Sequence, residues 1–321
     1  MKTNERRFLR IVCDEEMTHM LYDNILGTIG NTPVIRLNAI VPKGIAEIYA
    51  KMESFNPSGS VKDRASISMI RDAESRGLLK KGYAIVEPTS GNTGIGISMA
   101  AAVLGYKAII VMPDSMTEER VRLIRSYGAE IIMTPGAEGV IAAVKKAEEI
   151  VAKGKAFMPQ QFNNRANVMA HYTGTAKEIL HDIPDVNAVV AGIGTGGTAT
   201  GIGMGLRNFA PDVKIIGVEP YESPLLTGGE YSRHKIQGIG ANFVPDVLDR
   251  EYIDEIVTVK ENDAVEMTKR LAKEEGMLVG ISSGASVSAA LEIAKKYGPG
   301  KKIVAILADG GERYMSTGIY D

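Results

Sequence analysis

Short runs rich in apolar and β-branched residues alternate along this chain with longer stretches whose apolar residues return every three or four positions. The short runs predict strands at 33–38, 46–53, 83–87, 107–112 and 130–134. The helical spacing predicts helices over 64–77, 94–104, 118–127 and 138–153. A second series follows, with helix 168–180, strand 188–191, helix 199–209 and strand 214–218. After a long irregular stretch come strand 255–259, helix 264–275, a short strand near 278–281, helix 285–297 and strand 303–307. Strands that alternate with helices indicate mostly parallel sheets covered on both faces. The expected class is therefore α/β, in two three-layer lobes. A leader spans 1–20, the smaller lobe 54–159, and the larger lobe 21–53 plus 160–321, with 159–164 as the boundary. Ligands of open parallel sheets collect at the carboxyl ends of the strands, so the site is expected in a cleft between the lobes.

Composition narrows this picture by exclusion. At 321 residues the chain is comfortable for two packed lobes. A net charge of −2 gives no reason to expect nucleic acid or an anionic membrane as partner. No apolar run approaches the roughly 20 residues needed to span a bilayer, and the charged N-terminus lacks a signal peptide's apolar region. A cytoplasmic location is expected. One cysteine, Cys13 in the leader, excludes an intrachain disulfide framework, and the four histidines show no metal-ligand spacing. No metal is expected.

The candidate chemistry centres on Asn56-Pro57-Ser58-Gly59-Ser60-Val61-Lys62-Asp63-Arg64. Pro57 and Gly59 punctuate a turn, Ser60 or Asp63 is placed to cap, and the following helix carries Lys62 at its mouth. A helix N-terminus disfavours a cation, and burial does so further, so this amine is easier to hold neutral. A neutral amine is the nucleophile a carbonyl needs to form a Schiff base. A solvated surface lysine is the ordinary alternative for any lysine taken alone.

Two glycine-rich strand-to-helix turns weigh against that alternative. Thr89-Ser90-Gly91-Asn92-Thr93-Gly94 combines small residues with three hydroxyls and an amide, a cradle for a carboxylate or phosphate. Gly192-Ile193-Gly194-Thr195-Gly196-Gly197-Thr198 suits a phosphate held by backbone amides. It also fits the dinucleotide spacing G-x-G-x-x-G at Gly192, Gly194 and Gly197, with Glu219 near the position of a ribose-binding acid. A nicotinamide-dependent oxidoreductase is thus a rival, though it leaves the lysine turn unexplained. Ile236 to Gly240 is suited to a mobile flap, and Ser282 and Ser283 either cap a helix at Ala285 or serve a site.

In order along the chain, NPSGSVKDR, EPTSGNTG, QQF, GIGTGGT, HKIQGIG, GISSGA and GERYMST resemble the fold-type II pyridoxal-phosphate enzymes. The resemblance is to the cysteine synthase (O-acetylserine sulfhydrylase) and cystathionine β-synthase group, and runs from about Ile25 to Tyr320. It implies a tryptophan-synthase-β-like fold and pyridoxal 5′-phosphate as cofactor. Lys62 would be the Schiff-base lysine and Asn92 the partner of the cofactor's 3′-oxygen. Gly194, Thr195, Gly196, Gly197 and Thr198 would hold the phosphate, and Ser282 would face the pyridine nitrogen. Thr89, Ser90, Gly91, Thr93 and Gln161 would hold the substrate carboxylate, with Gly238 in the flap beside the substrate. The implied reaction is β-replacement through an aminoacrylate, making L-cysteine from O-acetyl-L-serine and sulfide. A homodimer is implied, as is docking of the C-terminal tail of serine acetyltransferase. Neither the haem-binding leader nor the C-terminal regulatory domain of some cystathionine β-synthases is expected. Departures from the group's pattern at 164–172, Gly174 to Glu178, Tyr231-Ser232-Arg233 and Val244 to Arg250 leave the donor and acceptor open. Serine or cysteine as donor, homocysteine as acceptor, and production of hydrogen sulfide are the alternatives.

Overall fold

The computed structural model describes residues 21–89, 91–114, 117–136 and 139–321. The expected leader, with Cys13 and His19, lies outside these residues. The described strands are β1 (Val34–Arg36), β2 (Glu47–Met52), β3 (Ala84–Pro88), β4 (Lys107–Pro113), β5 (Glu130–Thr134), β6 (Ala156–Phe157), β7 (Ala188–Gly192), β8 (Lys214–Pro220), β9 (Glu255–Val259) and β10 (Lys302–Leu307). The described α-helices are α1 (Lys62–Ser75), α2 (Asn92–Leu104), α3 (Glu118–Ser126), α4 (Gly139–Val151), α5 (Arg165–Ala170), α6 (Ala176–Asp182), α7 (Gly197–Arg207), α8 (Glu261–Glu275) and α9 (Ile281–Tyr297). Six strands form one sheet in the order β1-β2-β10-β7-β8-β9, and four form another in the order β5-β4-β3-β6. All neighbours are parallel except β1 and β2.

Each sheet is the middle of three layers, because successive side chains of a strand point to opposite faces. In the smaller sheet Ile85, Ile110 and Met112 pack with Ile70, Ile95, Ile97 and Ile124 on one face. Their neighbours Val86, Ile109 and Val111 pack with Ala143 and Ala147 of α4 on the other. In the larger sheet Ile303, Ala305 and Leu307 face the layer that holds α8 and α9. Val304 and Ile306 face the layer with α6 and α7. Each such fully buried Ile, Val or Leu side chain contributes about 1.5–3 kcal/mol relative to an exposed one. Among the described residues no helix is long and apolar enough to cross a membrane.

Three local expectations are corrected, and one strand is added. The strand near 278–281 is absent: Val279 makes a single antiparallel bridge to Gly310, and Ile281 already opens α9. Ser282 and Ser283 therefore lie inside the first helical turn rather than capping at Ala285, and the cap position is Gly280. The helix expected over 168–180 starts earlier, at Arg165, and is interrupted by a π-helical turn at His171–Thr175. Strand β6 has only two residues, too few for a periodic signal.

Candidate active site

The strand order assembles the site. In the larger sheet the chain runs β7, β8, β9 in one direction, and β10 then returns to the other side of β7, between β7 and β2. The carboxyl ends of β2, β10 and β7 thus lie side by side at a topological switch point, where ligands of open sheets bind. From these ends leave the lysine turn, the segment beginning Ala308-Asp309, and the glycine loop. A cavity opens there, lined by Lys62, Asn92, Gly194, Thr195, Gly196, Thr198, Gly238, Ser282 and Asp309 among others.

Lys62 is the first residue of α1, two residues earlier than the periodicity predicts. Its backbone N–H donates to Ser60 Oγ at 3.3 Å. Asp63 does not cap the helix; it closes the preceding turn by accepting from Ser58 N at 2.6 Å and from the Ser58 hydroxyl. Burial holds the Asp63 carboxyl up at about 6, against the Ser58 donors and Arg313. Gly59 takes φ +83°, and a Cβ there would strike Arg313, so the turn requires glycine on both counts. Burial depresses the Lys62 pKa, while Asp309 and Glu53 act in the opposite sense. The amine is thus biased toward its neutral form.

A buried ionic cluster anchors the same helix. Arg64 donates to Glu53 (Nε–Oε2 2.6 Å) and to both oxygens of Glu178 (2.6 and 2.7 Å). Lys51, with no exposed side-chain surface, reaches Glu178 at 2.9 Å and donates to the Thr32 carbonyl at 2.6 Å. The departure at Gly174 to Glu178 therefore belongs to the support of α1, and these residues do not line the cavity.

The glycine loop enters α7 through Gly196 at φ +84°. It carries no charged side chain, and the first amides of α7 have no partner within the helix. Thr198 Oγ1 lies 3.2 Å from His171 Nε2, and His171 Nδ1 lies 2.9 Å from Thr175 Oγ1. Burial, with Arg64 and Lys62 nearby, keeps the His171 pKa well below the ordinary value, so this partner is neutral. Leu248, in the run 244–250, packs against Gly196.

Thr89, Gly91, Thr93 and Gln161 do not line the cavity but form a cluster of their own at the carboxyl ends of β3 and β6. Thr93 Oγ1 donates to Gln161 Oε1 at 2.6 Å, and Gln161 Nε2 to Thr89 Oγ1 at 3.4 Å. The short β6, parallel to β3, is what brings Gln161 there. Glu87 at the end of β3 accepts the backbone N–H groups of Gln160 (2.9 Å) and Gln161 (3.1 Å). Burial pushes the Glu87 carboxyl up to about 7. Ser90 lies outside the described residues.

Three positions to which the sequence reading assigns no role carry the site. Asn167 on α5 donates to Gln161 O (2.9 Å) and Thr195 Oγ1 (3.0 Å), joining the hydroxyl cluster to the glycine loop. Asp309 and Arg313 hold the two ends of the Asn92 amide at 2.6 and 2.7 Å. The only available signal for Asp309 was its place just after a buried strand. Glu219, the acid of the dinucleotide rival, is buried and accepts from Leu226 N, Thr227 N and Thr227 Oγ1 at 2.7–2.9 Å. Its lone pairs serve its own loop, which removes the ribose partner that reading needs.

The residues present fit pyridoxal phosphate. An uncharged glycine loop leading into helix amides without intrahelical partners suits a phosphate, and a lysine biased toward neutrality shares its cavity with the donor Asn92 and the hydroxyl Ser282. A family model described as "Pyridoxal-phosphate dependent enzyme" matches residues 25–309, and the chain belongs to that family. Over 302 residues it is 49% identical to a probable cysteine synthase of Bacillus subtilis (strain 168), covering 92% of this chain and 97% of that one. O-ureido-L-serine synthase superposes with a TM-score of 0.91 at 46% identity, covering 94% of this chain and 96% of its own. Cysteine synthase (OASS) from Entamoeba histolytica gives a TM-score of 0.90 at 41% identity, covering 94% of this chain and 91% of its own. Among the described residues no group of three or more His, Cys, Asp or Glu could hold a metal ion.

Proposed function

We propose that this chain is a cysteine synthase, performing β-replacement on O-acetyl-L-serine with sulfide to give L-cysteine. The observation that carries the reading is the meeting of Lys62, Asn92, Ser282 and the uncharged glycine loop on one cavity. Similarity to the probable cysteine synthase over most of both chains supports the same substrate pair. Bound pyridoxal phosphate supplies the electron sink for loss of the α-proton and the β-substituent.

The chain's own residues supply binding, orientation and proton transfer. Gly194 to Thr198 hold the phosphate through backbone N–H groups and the Thr195 and Thr198 hydroxyls, with neutral His171 orienting Thr198. Lys62 would anchor the cofactor and take the α-proton at Nζ; burial lowers its pKa, which favours the form that carries a lone pair. Ser282 would offer the ring nitrogen a neutral hydroxyl, a partner that would favour loss of the β-substituent over transamination. Thr89, Ser90, Gly91, Thr93 and Gln161 hold the substrate carboxylate, and Gly238 lies in the flap that excludes water. The division into lobes 54–159 and 21–53 plus 160–321, pairing into a homodimer, and docking of a serine acetyltransferase tail belong to the same proposal. Sedimentation at twice the chain mass tests the dimer.

The deciding experiment is the visible spectrum of the purified protein before and after each of O-acetyl-L-serine, L-serine and L-cysteine. The expected result is a resting band that changes with O-acetyl-L-serine and returns when sulfide is added, and that is missing in Lys62→Ala. A change with serine or cysteine but none with O-acetyl-L-serine would move the donor to those amino acids. No band after incubation with pyridoxal phosphate would overturn the reading.

A further inference from the structure

Asp309 is 1% exposed and, among the described residues, is the only acidic side chain lining the cavity that holds Lys62, Asn92 and Ser282. Its Oδ2 accepts from Asn92 Nδ2 and from the Tyr314 hydroxyl, both at 2.6 Å. Its Oδ1 is buried with no hydrogen-bond partner among the described residues. That oxygen lies 2.1 Å from where a Cβ on Gly280 would be, at the N-terminus of the 17-residue α9, whose unpaired amides favour an anion. On its far side the Asn92 amide oxygen accepts from Arg313 Nη1 at 2.7 Å, and Arg313 Nη2 also donates to the Ser58 carbonyl in the lysine turn.

A guanidinium only donates and an ionised carboxylate only accepts. With one at each end, the Asn92 amide has a single orientation, nitrogen toward Asp309 and oxygen toward Arg313. One of its two N–H bonds is then spent on Asp309 and the other is left for a ligand. We propose that Asp309 is a positioning residue for the reaction, fixing the polarity of the Asn92 amide and placing a negative charge in the cavity that holds Lys62. This rests on the reading of Lys62 and Asn92 as cofactor-binding residues. Asp309 also favours the protonated form of Lys62, against the effect of burial. The other charged or titratable groups around the pair are Glu53, His171, Arg313, Glu312, Tyr314, Tyr320 and Arg120, the last stacked 4.8 Å over the Tyr314 ring.

The test is a pH titration of the visible band of the protein loaded with pyridoxal phosphate, in wild type, Asp309→Asn and Tyr314→Phe. A carboxylate raises the pH at which a neighbouring nitrogen cation loses its proton, so removing its charge lowers that pH. Asp309→Asn keeps an acceptor oxygen but no charge, so Arg313 still holds the Asn92 oxygen while the contact to the Asn92 N–H becomes a weaker, neutral one. The expected results are a midpoint lower by about one unit, pyridoxal phosphate bound about tenfold more weakly, a lower kcat and little change in KM. Tyr314→Phe removes a donor from the carboxylate and leaves its charge, so the midpoint should rise by a few tenths of a unit. An unchanged midpoint in Asp309→Asn, with only thermal stability lowered, would mean a structural role and overturn the proposal. If that variant does not fold, a fall or no change in Tyr314→Phe overturns it. A wild type with no band defeats the cofactor reading itself, a result distinct from either of these.

Discussion

Replacing Glu178 by Gln tests whether the buried ionic cluster stabilises the fold as its geometry indicates. Glu178 accepts two bonds from Arg64 and one from Lys51. These cations hold its carboxyl down from the ordinary 4.5 to about 2, despite the opposing effect of burial. By linkage that displacement corresponds to about 3 kcal/mol of folding stability at neutral pH. The figure agrees with the roughly 3–5 kcal/mol lost when one partner of a buried pair is removed. Glu178→Gln leaves Lys51 with only the Thr32 carbonyl and Asp182, the latter at 3.6 Å. The sign follows from a folded pKa below the unfolded one. The contribution is present above pH 4.5 and is lost as pH falls toward 2, so the gap between wild type and variant should shrink to less than about half by pH 3. Urea unfolding of both proteins, compared at pH 7, 4 and 3, reads this directly. A gap below about 1 kcal/mol at pH 7, or one that does not narrow toward pH 3, would refute the reasoning.

Glu87 should show the opposite pH behaviour. Its folded pKa of about 7 lies above the ordinary 4.5, so its contribution is present below pH 4.5 and is lost as pH rises through 7. Relative to Glu87→Gln, which cannot ionise, wild type should lose up to about 3 kcal/mol between pH 4.5 and 7.5; a parallel pair of stability curves contradicts this. Gly196→Ala should weaken pyridoxal phosphate binding at least about tenfold in a visible-band titration. A non-glycine residue at φ +84° costs about 1–2 kcal/mol, and its Cβ would lie 2.7 Å from Leu248. Unchanged affinity would remove the loop from its role.

Most elements were legible because their periodicity is local: strands β3 to β5 face two layers, and every second residue enters a different apolar cluster. The run 278–281 misled for the same reason, since Val279 and Ile281 are buried in a loop and a helix start as thoroughly as they would be in a strand. The motifs around Lys62, Asn92 and Gly194 to Thr198 were readable because backbone turns and small residues cluster in short segments. Glu178 ends the segment 174–178, whose departure from the family pattern leaves donor and acceptor open by sequence, yet its partners are Arg64, 114 residues away, and Lys51.

What the sequence alone determined, then, is the α/β alternation, the lysine turn, the two ligand cradles and the resemblance that ties them to one cofactor. These depend on dihedral preference, hydrophobic period and short-range spacing, which are encoded within a few residues. The tertiary structure alone decided that β10 inserts between β2 and β7, that β6 carries Gln161 to Thr93, and that Asp309 meets Asn92 217 residues earlier. Strand order is a global packing choice, and the partner of a buried polar group is set by whatever that packing brings within about 3 Å.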